Sequence, residues 1–328
     1  KFENMLDTLG QMSRTDIYSS LKEWEQLTPL PFYSIGEPEL TKVVNKGGEE
    51  FFVLKVLVSN NSDYDGIIQM NVLQNGWWYQ PLEDPRARKK VEIAAHTTKE
   101  FVSVWEEQIR EVEVNTMISG NLPYMIRQSI GNVKQERNKI VKDSIYTLPE
   151  SSLEMPGEII VDNEDSTLFV LSTPPVVGLL PKWLDEVEET PFKYSGISWW
   201  RAPLQWTATT NAKYYGKYIR SAYVIKSGDG SQTATWKIPV PEAGQYELYY
   251  YVFKNDELRW NDRLQGEYHF RVAYDSEVED AYINLRKANE GWEQLGTYYF
   301  SADTVRVVLT DECKLRSVTA DAVKIVKR

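Results

Sequence analysis

Short runs in which apolar and polar residues alternate recur along this chain, and they restrict it to strands whose two faces meet different surroundings. Over residues 233–238, Ala234, Trp236 and Ile238 share one face while Thr233, Thr235 and Lys237 share the other. Tyr268, Phe270 and Val272 oppose His269 and Arg271 in the same way, so His269 reads as an outward-facing surface residue. The last segment, 291–328, holds three more strand-like pieces, at 292–300, 304–309 and 320–326. Turn residues separate them, and the spacing predicts an antiparallel meander. An apolar terminal strand of this kind should close a sheet begun well upstream.

The remaining organisation follows from where the pattern changes. Phe2, Met5, Leu6 and Leu9 stand at helical spacing, as do Tyr18, Leu21, Trp24 and Leu27 behind a Thr15 or Asp16 cap, until Pro29 and Pro31. Residues 1–40 therefore read as a helical lead-in. Strand signals at 51–58, 67–73, 90–93, 101–105 and 112–116 make residues 41–122 an immunoglobulin- or fibronectin-like β-sandwich. The Trp77–Trp78–Tyr79 cluster lies in its longest loop, as a binding tip or as a cover for a sheet edge. The polar stretch 123–156, with Pro123, Pro149 and Pro156, reads as a linker with room for a strand or short helix. From 157 to 328 a second all-β unit begins, with one acidic helical turn expected at 182–189.

Composition removes several classes of function. The formal net charge is −11 with no basic block, so a phosphate backbone is repelled and nucleic acid is no partner. No apolar run reaches the ~18 residues of a membrane span, and none has the form of a signal peptide. The chain opens at Lys1 without Met, which reads as an excised fragment or a mature product. A single cysteine, Cys313, forbids an internal disulfide. With only His96 and His269 beside it, a nitrogen–sulfur metal site is not expected, which leaves oxygen-ligand ions such as calcium.

Five segments of the second unit resemble one family, in its order. They are GEIIVDNED at 157–165, YYGKYIRSAY at 214–223, SQTATWKIPVPEAGQYELYYYV at 231–252, GWEQLGTYYF at 291–300 and TADAVKIV at 319–326. Together they resemble the golvesin/xanthan-lyase carbohydrate-binding-like domain. The resemblance implies a non-catalytic, galactose-binding-like jelly-roll sandwich, used as an accessory module of secreted or surface proteins active on polysaccharide. Two intervals depart from that family: 167–211 is expanded and Trp-rich, and 254–266 is long and charged. The first unit, through VNTMISGNLPYMI at 114–126, resembles the immunoglobulin-like segment that precedes golvesin-type domains in large Bacteroidetes proteins, some of which carry a peptidase-like region upstream.

No phosphate loop, nucleophile elbow, HExxH motif or singled-out carboxylate pair points to catalysis. Sugar binding asks only for aromatic faces to stack on pyranose C–H surfaces and planar polar groups to bond hydroxyls. Trp199, Trp200, Arg201, Trp206, Arg259, Trp260 and Asn261 supply both on two loops, and the ends of a sandwich can bring such loops together. The alternative use of Trp199 and Trp206 is to plug the sandwich end. Asp162, Asn163 and Asp165 are candidate calcium ligands, or simply turn formers after a strand. The reading is thus a non-catalytic accessory region, periplasmic, cell-surface or secreted, whose partners are a polysaccharide or cell-surface glycan and the upstream domains of the same protein. The alternative is a pair of structural spacers or protein-docking modules of an upstream enzyme. The terminal strand, through Ala322 and Ile325, should pair with 159–162.

Overall fold

The computed structural model describes residues 8, 10–12, 30–73, 84–131, 133–137, 141–153, 157–172, 193–197, 201–254 and 266–328. They are nearly all β. Ten strands come first: β1 (Tyr33–Ile35), β2 (Glu39–Val44), β3 (Glu50–Asn60), β4 (Gly66–Leu73), β5 (Arg88–Ile93), β6 (Thr97–Trp105), β7 (Glu111–Asn115), β8 (Met125–Ser129), β9 (Val133–Arg137) and β10 (Ser144–Pro149). Twelve follow: β11 (Glu158–Val161), β12 (Phe169–Leu171), β13 (Thr207–Thr210), β14 (Ser221–Lys226), β15 (Thr233–Pro239), β16 (Gly244–Val252), β17 (Glu267–Tyr274), β18 (Glu277–Asn284), β19 (Gly291–Phe300), β20 (Thr304–Thr310), β21 (Ser317–Ala320) and β22 (Val323–Lys327).

The strands form five small sheets around two hydrophobic cores. A six-stranded sheet (β10-β6-β3-β2-β9, with β1 on β3) and a four-stranded one (β5-β4-β7-β8) enclose the first core, whose centre includes Leu54, Val56, Ile68, Met70, Phe101 and Val112. The second core lies between the sheet β12-β15-β20-β17-β18 and a layer made of β11-β22-β16-β19 and β13-β14-β21. Here the alternation does what it predicts. Ala234, Trp236 and Ile238 are fully buried, as are Phe270 and Val272, while the residues between them are half-exposed. Burying this many large side chains is the main force holding each unit together.

The terminal strand pairs where expected. β11 runs antiparallel to β22, with Ile159 opposite Ile325. The 291–328 segment, however, is not a meander. β19 pairs with β16 on one side of the core, β20 pairs with β15 and β17 on the other, and the chain then returns through β21 and β22. Strands apolar on one face can be shared between two facing sheets as well as placed side by side in one, and alternation does not distinguish the two. The last piece is also broken in two at Asp321 and Ala322.

The stretch 123–156 is likewise more than a linker. β8 pairs with β7, β9 runs parallel to β2, and β10 pairs with β6, so its residues extend the two sheets of the first core. These strands are polar because they lie at sheet edges, with β9 and β10 exposed along most of their length. The helical lead-in (apart from residues 8 and 10–12, which are helical), the 77–79 cluster and the 182–189 turn lie outside the described residues.

Candidate functional site

Two places in the second unit gather polar and aromatic chemistry. The first is an open end. The loop 201–206 is anchored by the Lys226 amide donating to the Pro203 carbonyl at 2.7 Å, and Lys226 stands opposite Ser317 in the β14–β21 pair. Beside it, the Ser227 amide donates to the Arg316 carbonyl and the Gly228 amide to that of Asp311. Gly228 is tied to this spot, since a Cβ there would lie 2.1 Å from an Asp311 carboxylate oxygen. Gly266, which closes the second candidate loop, is two residues before Tyr268, whose hydroxyl accepts from the Thr319 amide at 3.0 Å. The loop 201–206 is thus anchored at the Lys226–Ser317 end of the β14–β21 pair.

At that end Arg201 is exposed, and Trp206 is half-buried against the core with its indole N–H unpartnered. Trp206 thus serves in part as the plug that the alternative reading describes. Trp199, Trp200, Arg259, Trp260 and Asn261 lie outside the described residues.

The second place is the seam where β21 gives way to β22. Asn163 is buried with its side-chain amide 2.7 Å from the Ser221 hydroxyl. Glu164 takes hydrogen bonds from Lys193 (2.5 Å), Tyr194 (3.0 Å) and Ser221. Burial pulls the Glu164 carboxyl upward, but these donors outweigh it and hold it below the ordinary range. Asp165 is exposed, and its carboxylate accepts from the Asp162 amide at 2.9 Å, a turn-forming bond. Among the described residues, no group of three or more His, Cys, Asp or Glu side chains is placed to hold a metal ion.

Sequence reasoning gave no particular role to the segment 211–220, which the structure makes central. The Leu122 amide donates to the Tyr218 carbonyl (3.0 Å), the Arg220 amide to that of Leu122 (2.7 Å), and the Arg127 amide to that of Ala212 (3.1 Å). Lys213 bridges Glu111 and Glu290 at 3.3 and 3.0 Å, and the Phe32 and Tyr218 rings lie 5.3 Å apart. This segment joins the second core to the first. Gly216 permits its path, with φ of 148° and the Ile219 carbonyl 1.9 Å from where a Cβ would stand. The signal available in the sequence was the YYG turn itself, whose Gly marks a backbone position closed to side chains.

The strands that frame these places, from just before β13 to the end of β22, are the ones a family comparison picks out. Residues 200–327 match the Golvesin C-terminal domain. This golvesin-type stretch contains four of the five segments that carry the resemblance, from YYGKYIRSAY onward. The comparison with curated proteins returns no match. Among solved structures, a Paenibacillus xanthan lyase is similar at 16% identity and a TM-score of 0.37, covering 92% of this chain and 27% of its own. The chain thus spans about a quarter of that protein's length. The CBM35 from Cellvibrio japonicus Abf62 is similar at 10% identity and a TM-score of 0.27, over 38% of this chain and 83% of its own. A Bacteroides uniformis β-glucuronidase is similar at 11% identity and a TM-score of 0.25, over 89% and 30%. Among the described residues, no helix is long and apolar enough to cross a membrane.

Proposed function

We propose that this chain is a non-catalytic accessory region in which the golvesin-type unit binds a polysaccharide or cell-surface glycan. Its two units are an immunoglobulin-like β-sandwich, ending near residue 156, and a galactose-binding-like jelly roll from 157 onward. The observation that supports a site there is the exposed Arg201 near the half-buried Trp206, whose indole N–H has no partner. Trp199, Trp200, Trp206 and Trp260 are the stacking surfaces in this reading, and Arg201, Arg259 and Asn261 bond the hydroxyls. A secreted, periplasmic or cell-surface location, beside further domains of the same protein, fits such a role.

Affinity gel electrophoresis of the whole chain against a panel of neutral and acidic polysaccharides tests it. Retardation by at least one polysaccharide is expected, with affinity falling about tenfold or more in Trp260→Ala and less in Arg201→Ala. No retardation by any of them favours the second reading, a structural spacer or docking unit, which the junction through 211–220 supports. Release of sugar from a polysaccharide by this chain alone contradicts both.

A further inference from the structure

The connection between β7 and β8 is built inside out. Thr116 and Asn121 are buried, and the Thr116 hydroxyl accepts from the Ser119 hydroxyl at 2.8 Å. The Thr116 amide donates to the Tyr124 carbonyl at 2.8 Å and the Met117 amide to the Asn115 side-chain oxygen at 2.8 Å. This polar frame holds the large apolar side chains outward. Met117, Ile118, Leu122 and Tyr124 are all exposed, Ile118 and Tyr124 over more than half of their surface. A surface connection ordinarily turns its polar groups to water, and apolar groups gathered on one rim mark a surface that another element covers.

The chain enters the first core at this rim. The Gly120 amide donates to the Pro31 carbonyl at 2.9 Å. Asn121 brackets Tyr33: its Oδ1 accepts from the Tyr33 amide at 2.9 Å and its Nδ2 donates to the Tyr33 carbonyl at 2.8 Å. Gly120 lies so close to the Phe32 ring that a Cβ there would stand 2.2 Å from it. Leu30, one residue outside these contacts, is exposed. The residues that precede Leu30 therefore start beside the apolar rim, and their sequence matches it. On a helix of 3.6 residues per turn, Ile17, Leu21 and Trp24 share one face with Tyr18 and Leu27 at its margins, while Ser19, Lys22 and Gln26 fall opposite. Only Thr28 and the helix-ending Pro29 separate Leu27 from Leu30.

We propose that the apolar rim of the β7–β8 connection is the docking surface for the chain's own segment 16–28, laid on it as an amphipathic helix through Ile17, Leu21 and Trp24. A helix of that length spans about 20 Å and is marginal in water unless its apolar face is packed. The rim supplies that packing at the point where the segment joins the core. Leu122 also donates to the Tyr218 carbonyl, so the docked segment, the first core and the 211–220 junction meet at one connection.

Hydrogen–deuterium exchange of the whole chain, read by mass spectrometry, tests it. Amides of 17–27 should exchange at least about tenfold more slowly than in an unstructured peptide of the same sequence. Ile118→Asp combined with Tyr124→Asp should abolish that slowing while exchange in β15 and β17 stays unchanged. Leu21→Asp, which alters no residue of either core, should abolish it as well and speed exchange in 117–124. No slowing in the unaltered chain overturns the proposal, and so does slowing that survives the rim variant. Slowing that is lost on dilution, together with a doubled mass by light scattering, overturns it in favour of a second copy of the chain as the occupant. If the rim variant does not fold, unchanged exchange of 117–124 in Leu21→Asp overturns it instead.

Discussion

The seam at Asp321 and the open end at Trp206 belong to the same layer of the second core, and they follow opposite rules. At the seam, polar groups are buried and nearly all committed: Asn163 to Ser221, Glu164 to three donors, Tyr215 to Asp321, and the 211–220 segment to the first core. At the open end, Arg201 and Leu204 are exposed and the Trp206 indole N–H has no partner. The segments 157–165, 214–223 and 319–326 meet at the seam, through the Asn163–Ser221 and Tyr215–Asp321 hydrogen bonds.

Two tryptophans offer the sharpest way to break this contrast. Trp236 is fully buried, contacts the rings of Phe169 and Tyr250, and donates to Asp321. Trp236→Ala should lower unfolding free energy by about 3–5 kcal/mol, the range for removing a large aromatic from a close-packed core. Trp206→Ala, at a half-buried site, should cost about 1–2 kcal/mol and act mainly on glycan binding. Denaturant melts of the two variants measure the difference. Equal losses would mean that Trp206 is a core plug and that the open end is as structural as the seam.

The sequence discloses these two regions unequally, for physical reasons. Strands such as β15 and β17 were readable because each buries one face, and burial writes a period of two into the residues. The β11–β22 pairing was readable because an apolar terminal strand has few places to go. The crossing of β19 and β20 to different sheets was not, since both fates bury the same face. β9 and β10 were missed because polar edge strands lack the alternation. The half-burial of Trp206 was not legible either, because it is a property of the packed end.

The junction between the two cores is the next contrast to sharpen. Lys213, Glu111 and Glu290 are each less than a fifth exposed, so their ion pairs are poorly screened. Lys213→Ala should cost about 1–2 kcal/mol, between the values for surface and buried pairs. If 211–220 couples the cores, the variant should also separate one cooperative melt into two transitions by calorimetry. A single transition at an unchanged temperature would show that the backbone bonds at Leu122 and Arg127 suffice without the ion pairs.

The smallest effect is expected where the chain leaves the first core, at an exposed pin that contrasts with this half-buried clasp. His96 Nε2 is 2.8 Å from Asp63 and Nδ1 is 3.0 Å from Glu150, which also accepts from Asn61 at 2.8 Å. Hydrogen bonds to Asp63 and then Glu150 raise the His96 pKa above its ordinary 6.5. Those from Asn61 and then His96 lower the Glu150 pKa below its ordinary 4.5. Because the folded pKa of His96 is the higher one, its contribution is complete below about 6.5 and fades as pH rises through the folded value. The Glu150 contribution runs the other way, complete above about 4.5 and lost as pH falls. The pin should therefore be strongest between those two values, and the gain is small because both groups are solvent-exposed. Glu150→Gln should lower the His96 midpoint in an NMR titration while leaving the melt of the second core untouched. A midpoint that does not move would show that Asp63 alone holds the imidazole, and that the chain after β10 leaves the first core without this pin.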